Sequence, residues 1–177
     1  MRTLIINAFA GPCGGKTTSC WEIASALKRK GIIVEYVSEY TKELVYEKDF
    51  VTLDGTLENQ EKILKEQKHR QDRLYGQVQV IVTDAPLLFN IIYLENKPDW
   101  YVKKVLDIFN SYNNLNIFIK RDKEKFTQIG RNHTLEESIE KDKEILNFLE
   151  KNDLPFIVYD YKDLDKFVDE IINSINI

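Results

Sequence analysis

Cysteine is scarce in this 177-residue chain, and its two occurrences, Cys13 and Cys20, are seven positions apart. They form neither a C-x-x-C pair nor a cluster with metal-ligand spacing, so neither a disulfide framework nor a structural metal site is expected. We therefore expect both cysteines to be reduced thiols in a cytoplasmic enzyme.

Long apolar runs and an excess of basic residues are lacking as well. No apolar run approaches the length of a transmembrane helix, and the chain enters a predicted strand without a signal-peptide pattern. The net charge of −4 argues against a protein devoted to nucleic-acid binding, although a local basic groove could still exist. Internal repeats and low-complexity linkers are also missing. The length fits a single domain over residues 1–177, with a core of sufficient size.

What the chain does contain is a glycine-rich loop between an apolar strand and a helix. The loop reads Ala10-Gly11-Pro12-Cys13-Gly14-Gly15-Lys16-Thr17-Thr18 and follows the apolar run 4–9. It matches G-x-x-x-x-G-K-[ST] except that Ala10 replaces the first glycine. In such a loop the backbone N–H groups and the lysine bind phosphates, while the threonine hydroxyl binds Mg²⁺. The loop predicts binding of a nucleoside triphosphate, with ATP and Mg²⁺ as the expected cofactors.

Carboxylates follow the second and third predicted strands. Residues 32–37 form a predicted strand that leads to Glu39 and Tyr40, and residues 78–83 form one that leads to Asp84. Ligands of an open α/β sheet bind beyond the carboxyl ends of its strands. Glu39 is the candidate catalytic base, or else a solvated loop residue, and Tyr40 is a candidate substrate contact. Asp84 is the candidate metal ligand, directly or through water, and a candidate catalytic carboxylate that polarises the acceptor, with a helix N-cap as the structural alternative.

A predicted helix over residues 56–75 carries polar groups on its inward stripe. Gln67 lies on that stripe, and Arg70 and His69 lie on an adjacent face. Amides on an inward face need partners, which could be buried backbone or bound substrate. Gln67, His69 and Arg70 are candidate substrate contacts, whereas a solvated flank is the alternative for His69 and its neighbour Arg73.

A basic segment follows the fourth predicted strand. It covers about residues 121–134 and precedes a helix with a predicted capping box of Thr134 and Glu137. Such a segment is typical of a mobile lid whose arginines close over phosphates. Arg131 is the candidate catalytic lid residue. Arg121 is a candidate ATP contact, or else an ordinary cation at the end of a strand.

Strands and helices alternate along the whole sequence, which predicts a three-layer α/β/α fold with a five-stranded parallel sheet. The chain resembles P-loop nucleoside and nucleotide kinases. More closely, it resembles the ribosylnicotinamide kinase domain of bacterial nicotinamide riboside kinases and related phage-encoded AAA-type ATPase/kinase proteins. Four stretches carry the likeness: the phosphate loop, residues 35–40, residues 67–88, and Gly130-Arg131-Asn132.

The resemblance implies an NTP-dependent phosphotransferase in which Glu39 or Asp84 prepares an acceptor hydroxyl. It also suggests a phage origin, and therefore a location in the host cytoplasm. The expected acceptor is a small molecule, either nicotinamide riboside or a deoxynucleoside or nucleotide. Two alternatives stay open: a polynucleotide-end or DNA-base kinase, and an ATP-hydrolysing switch or binding module.

Overall fold

The computed structural model describes residues 2–121 and 134–175. Within these ranges the chain forms five strands and seven α-helices, with one or two helices between successive strands. The strands are β1 (Leu4–Phe9), β2 (Val34–Val37), β3 (Val80–Thr83), β4 (Asn113–Ile119) and β5 (Ile157–Tyr159). The helices are α1 (Lys16–Arg29), α2 (Tyr40–Glu47), α3 (Leu57–Asp72), α4 (Phe89–Ile92), α5 (Asp99–Asn110), α6 (Leu135–Lys151) and α7 (Leu164–Ile175).

The five strands form one parallel sheet in the order β2-β3-β1-β4-β5. All six residues of β1 are buried, because a central parallel strand is covered on both faces and so reads as a continuous apolar run. The predicted fold class, a five-stranded parallel α/β sheet, is confirmed.

Helices cover both faces of this sheet, and alternation along β1 divides the core between them. Ile6 and Ala8 pack with α1 and α7, whereas Phe9 packs with residues of α3, α4, α5 and α6. Asn7, the polar exception in β1, is buried and donates to Asn114 Oδ1 at 2.9 Å and to Asn116 Oδ1 at 3.2 Å on β4. The strand therefore carries no unpaired amide donor into the core.

The sheet order also determines where the functional loops meet. β1 lies between β3 and β4, so the loop after β1 emerges where the chain switches from one side of the sheet to the other. The segments after β2 and β3 begin at the same end of the sheet as this loop, because all the strands are parallel. The phosphate loop, Glu39 and Asp84 consequently share one end of the sheet.

Two predicted helix caps can be compared with the structure. After β3 the chain enters the short helix α4, which begins at Phe89 after Leu88. Asp84 therefore does not cap it, and the N-cap alternative for Asp84 is wrong. The predicted capping box is present, since Thr134 and Glu137 each accept a hydrogen bond from the backbone of the other. No helix in the described ranges combines the length and apolarity needed to cross a bilayer.

Candidate active site

The phosphate loop is shaped by two residues in the left-handed region and by one close backbone approach. Cys13 has φ of 56° and Gly15 has φ of 84°. A Cβ on Gly14 would lie 2.6 Å from the Cβ of Ala10. The methyl group of Ala10 is thus accommodated because residue 14 has no side chain. The departure from the usual first glycine leaves the tight loop intact.

Lys16 lies across this loop at the start of α1. Its Nζ donates to the carbonyl of Ala10 at 2.9 Å and to that of Gly11 at 3.3 Å. The same ammonium lies 5.5 Å from the ring centroid of Phe89. Since α1 begins at Lys16, the positive end of its dipole and this ammonium are directed to the same place. The arrangement favours binding of an anion.

Thr17 and Asp84 join the phosphate loop to the end of β3. Thr17 Oγ1 donates to Asp84 Oδ2 at 2.5 Å. Asp84 is 1% exposed, and its Oδ1 has no hydrogen-bond partner in the described part of the chain. A hydroxyl and a carboxylate with a spare oxygen fit Mg²⁺, which binds few protein oxygens and keeps its waters and the substrate phosphates. The described residues contain no group of three or more His, Cys, Asp or Glu that could hold a metal.

The charge of Asp84 also acts on two neutral neighbours. Burial raises the pKa of Cys20, and the negative charge of Asp84 raises it further. Burial and the same carboxylate raise the pKa of Tyr36. Both groups therefore stay protonated at neutral pH.

A pocket of about 220 Å³ opens beside the phosphate loop. Its walls come from the ends of β2 and β3, from α3 and α4, and from the segment before α3. Its lining residues are Glu39, Thr41, Leu53, Gly55, Gln60, Ile63, Gln67, Ala85, Pro86, Phe89, Asn90 and Tyr93. Among them Asn90 is 4% exposed, and its Oδ1 has no partner within the described residues. The pocket thus offers one carboxylate and one free amide oxygen within mostly apolar walls.

Glu39 immediately precedes α2, and contacts from near and distant residues fix its position. Its Oε1 accepts from Thr41 Oγ1 at 2.6 Å. On either side of it, Gln67 accepts from the backbone N–H of Tyr40 at 3.0 Å and donates to the carbonyl of Ser38 at 3.2 Å. Gln67 is 3% exposed. Both ends of its amide therefore fix the backbone that carries Glu39.

Arg70 faces a different set of partners. Its two terminal nitrogens each donate to a carboxylate oxygen of Glu43 at 2.6 Å, and its Nε donates to Glu66 at 2.8 Å. The guanidinium lies 4.8 Å from the ring centroid of Tyr40. Neither Arg70 nor Tyr40 lines the pocket, and His69 is exposed on α3. None of these three residues lines this pocket, and their role as substrate contacts stays a prediction.

Arg121 contacts the outer side of the phosphate loop. Its guanidinium donates to the carbonyl of Pro12 at 3.1 and 3.2 Å, and its Nε donates to Asp142 at 2.6 Å. Arg121 therefore stabilises the phosphate loop and is not a free cation at the end of β4. Arg131, the predicted lid residue, lies outside the described residues.

Comparison with known proteins places this architecture in a family. A family profile described as "AAA domain" matches residues 6–165, which is most of the chain. The chain belongs to this AAA domain family. Curated protein sequences give no match.

Solved structures share the fold of this AAA domain at low sequence identity. A NadR protein in complex with NAD and AMP-PNP has a TM-score of 0.68 and 15% identity, covering 99% of this chain and 50% of that chain. A NadR protein in complex with NR has a TM-score of 0.60 and 17% identity, covering 88% of this chain and 45% of that chain. Deoxyadenosine kinase from M. mycoides with bound dATP has a TM-score of 0.58 and 19% identity, with 98% and 100% covered.

The AAA domain spans about half the length of the NadR chains that it matches. The resemblance to P-loop nucleoside and nucleotide kinases is confirmed at the level of the fold. These likenesses show the fold that carries the phosphate loop.

Some residues of this site were not predicted from the sequence. Asn90 and Tyr93 line the pocket, but nothing in their local pattern marks them. Gln60, which lies two turns before Gln67 on α3, also lines the pocket and is 6% exposed. For Asp142, the sequence contains one feature that could have indicated a functional contact, namely its position on a helix face. It follows Ser138 by four positions and precedes Ile145 by three on the buried face of α6, where a carboxylate requires a partner.

Proposed function

We propose that this protein is a Mg²⁺–ATP-dependent kinase of a small nucleoside-like acceptor. The observation that carries the proposal is the position of Phe89. Its ring lies beneath the ammonium of Lys16 and also lines the pocket that contains Glu39. A triphosphate on the loop and an acceptor in the pocket would therefore be neighbours, as phosphoryl transfer requires.

The residues have complementary tasks in this proposal. Lys16 and the loop N–H groups bind the β- and γ-phosphates. A second cavity of about 210 Å³, lined by Cys13, Gly14, Gly15, Thr18 and Lys120 among others, has room for the rest of the nucleotide. Thr17 and Asp84 would hold Mg²⁺, directly or through water, and the ion would neutralise phosphate charge.

Glu39 is the proposed base of the transfer. It accepts the proton of the acceptor hydroxyl while that oxygen forms a bond to the γ-phosphorus. The bond from the γ-phosphorus to its bridging oxygen breaks, and ADP leaves. The lid role of Arg131 remains a prediction from the sequence.

The pocket favours a nucleoside over a nucleotide acceptor. Among its described lining residues Glu39 is the one charged side chain, and it is an acid. A phosphate on the acceptor would need a cationic partner, and it would repel this carboxylate. The solved structures of similar fold hold NR, which is a nucleoside, and NAD, AMP-PNP and dATP, which are nucleotides, so every one of these ligands contains a nucleoside unit.

The test is an incubation of the purified protein with labelled ATP and Mg²⁺ over a panel of acceptors. The panel contains nucleosides, nicotinamide riboside, the matching monophosphates and DNA ends. We expect phosphorylated nucleosides and little product from the monophosphates. Lys16→Ala should lower turnover by roughly 10²–10³-fold while leaving the circular dichroism spectrum unchanged. A labelled DNA end would instead indicate a polynucleotide kinase. Hydrolysis of ATP that does not depend on any acceptor would indicate a switch or binding module.

A further inference from the structure

Asp142 on α6 is a carboxylate for which the proposed transfer has no use, yet it contacts the phosphate loop directly. Its Oδ1 accepts the backbone N–H of Gly11 at 2.6 Å, and its Oδ2 accepts Arg121 Nε at 2.6 Å. The side chains of Asp142 and Arg121 are 14% and 8% exposed. One carboxylate therefore joins two parts of the site that lie far from it in sequence.

The phosphate loop and α6 are packed so closely that residue 11 has no room for a side chain. A Cβ on Gly11 would lie 2.6 Å from the carbonyl oxygen of Ser138 and 3.0 Å from Asp142 Oδ1. Arg121, which Asp142 holds, in turn donates to the carbonyl of Pro12. The outer side of the loop is thus bound at two consecutive residues, Gly11 by Asp142 itself and Pro12 by the Arg121 that Asp142 holds.

The peptide between Ala10 and Gly11 connects Asp142 to Lys16. In a planar trans peptide the C=O and the N–H point in opposite directions. The N–H of this peptide is bound by Asp142, and its C=O accepts the ammonium of Lys16 at 2.9 Å. Rotation of the peptide plane would break both contacts together. Asp142 therefore fixes the direction of the carbonyl that positions Lys16.

We propose that Asp142 is a positioning residue that sets Lys16 and the loop for phosphate binding through the Ala10–Gly11 peptide. The inference rests on the part of the proposed function in which the loop binds a triphosphate. If Asp142 served stability alone, its removal would lower the melting temperature and leave the folded protein's affinity for phosphate unchanged. If Asp142 positions the loop, its removal also lowers that affinity, and the loss depends on Lys16.

The first test compares Asp142→Ala with Glu140→Ala, a matched loss of one carboxylate from an exposed position of α6. Binding of Mg²⁺ with a non-hydrolysable ATP analogue, and of inorganic tripolyphosphate, is measured by calorimetry. Loss of a charge-assisted hydrogen bond should weaken both ligands about 10- to 100-fold in Asp142→Ala. Tripolyphosphate should be affected as strongly as the analogue, because the contact acts on the phosphates. Glu140→Ala should bind both ligands like the wild type.

The second test places the same substitution in a Lys16→Ala background. If Asp142 acts through Lys16, its removal there should change the affinity less than about twofold, so that the two effects are strongly non-additive. Wild-type affinity in folded Asp142→Ala, or fully additive losses in the double variant, would overturn the inference. Should Asp142→Ala not fold, Asp142→Asn replaces it in the same cycle. That variant keeps a neutral acceptor, should lose affinity several-fold, and overturns the inference if it binds like the wild type.

Failure of this inference is separable from failure of the proposed function. A wild-type protein that binds tripolyphosphate but phosphorylates nothing in the acceptor panel would contradict the kinase and leave the binding comparison decisive for Asp142. A wild-type protein that phosphorylates an acceptor, with unchanged affinity in the variant, would contradict the role of Asp142 alone. A wild-type protein that binds neither ligand would overturn both.

Discussion

Thr17 Oγ1 donates to Asp84 Oδ2 at 2.5 Å, although the two residues are 67 positions apart in the chain. The contact brings the first turn of α1 to the end of β3, the neighbour of β1 in the sheet. It leaves the other carboxylate oxygen of Asp84 buried and without a partner among the described residues. A buried carboxylate in that condition is costly for the protein alone, and a bound cation would offset the cost.

Asp84→Asn should therefore separate metal binding from stability. We expect Mg²⁺ to strengthen the binding of ATP by the wild type, and the variant to lose about tenfold or more of that gain. Without nucleotide the variant should be as resistant to urea as the wild type or more so, since a buried charge has been removed. Calorimetric titrations with Mg²⁺ and with EDTA measure the first effect. Asp107→Asn on the exposed side of α5 is the control, and an equal gain from Mg²⁺ in Asp84→Asn would contradict the assignment.

Glu39→Gln should lower turnover much more than it weakens ATP binding. The amide retains an oxygen for the hydroxyl of Thr41 but cannot accept a proton, so the expected loss in kcat is about 10²–10⁴-fold. Steady-state kinetics with the best acceptor of the panel, together with ATP titrations, measure both quantities. Glu47→Gln, at an exposed position of α2, serves as the matched control. Full turnover by Glu39→Gln would remove Glu39 from the role of base.

The donor half of the site was predictable because it is local. Lys16 and Thr17 belong to one loop, and Asp84 follows a buried apolar run that marks a central strand. The contacts of the other half depend on packing between distant segments. The inward stripe of α3 shows that Gln67 is buried, but its backbone partners are 27 and 29 positions away. Asp142 reaches Gly11 over 131 positions, which no local pattern records.

Gln67 and Gln71 lie one turn apart on α3 and should respond oppositely to the same substitution. Gln67 holds two backbone groups, whereas Nε2 of Gln71 has no partner in the described part of the chain and is buried. Gln67→Met should lower the free energy of unfolding by about 1–3 kcal/mol. Gln71→Met should be neutral or stabilising, because an unpaired amide is replaced by an apolar group of similar size. Urea unfolding of both variants measures the difference, and the reverse ranking would contradict these contacts.

The ion pair of Arg70 and Glu43 predicts a specific dependence of stability on pH. The hydrogen bonds from Arg70 hold the pKa of Glu43 below its ordinary value of 4.5. A pKa that is lower in the folded state stabilises the fold above the unfolded value, and this contribution is lost as the pH falls through the folded value. Because the Glu43 side chain is 45% exposed, the contribution is no more than about 1 kcal/mol.

Glu43→Gln should therefore be less stable than the wild type at pH 7, and the difference should shrink as the pH falls below about 4.5. Urea unfolding of both proteins at pH 7 and at a pH well below that value measures it, with Glu47→Gln as the control on the same helix. A difference that stays constant with pH would show that the hydrogen-bond geometry, and not the charge of Glu43, joins α2 to α3. Since Arg70 also packs on the ring of Tyr40 beside Glu39, weakening of this pair at low pH would loosen the segment that carries the proposed base.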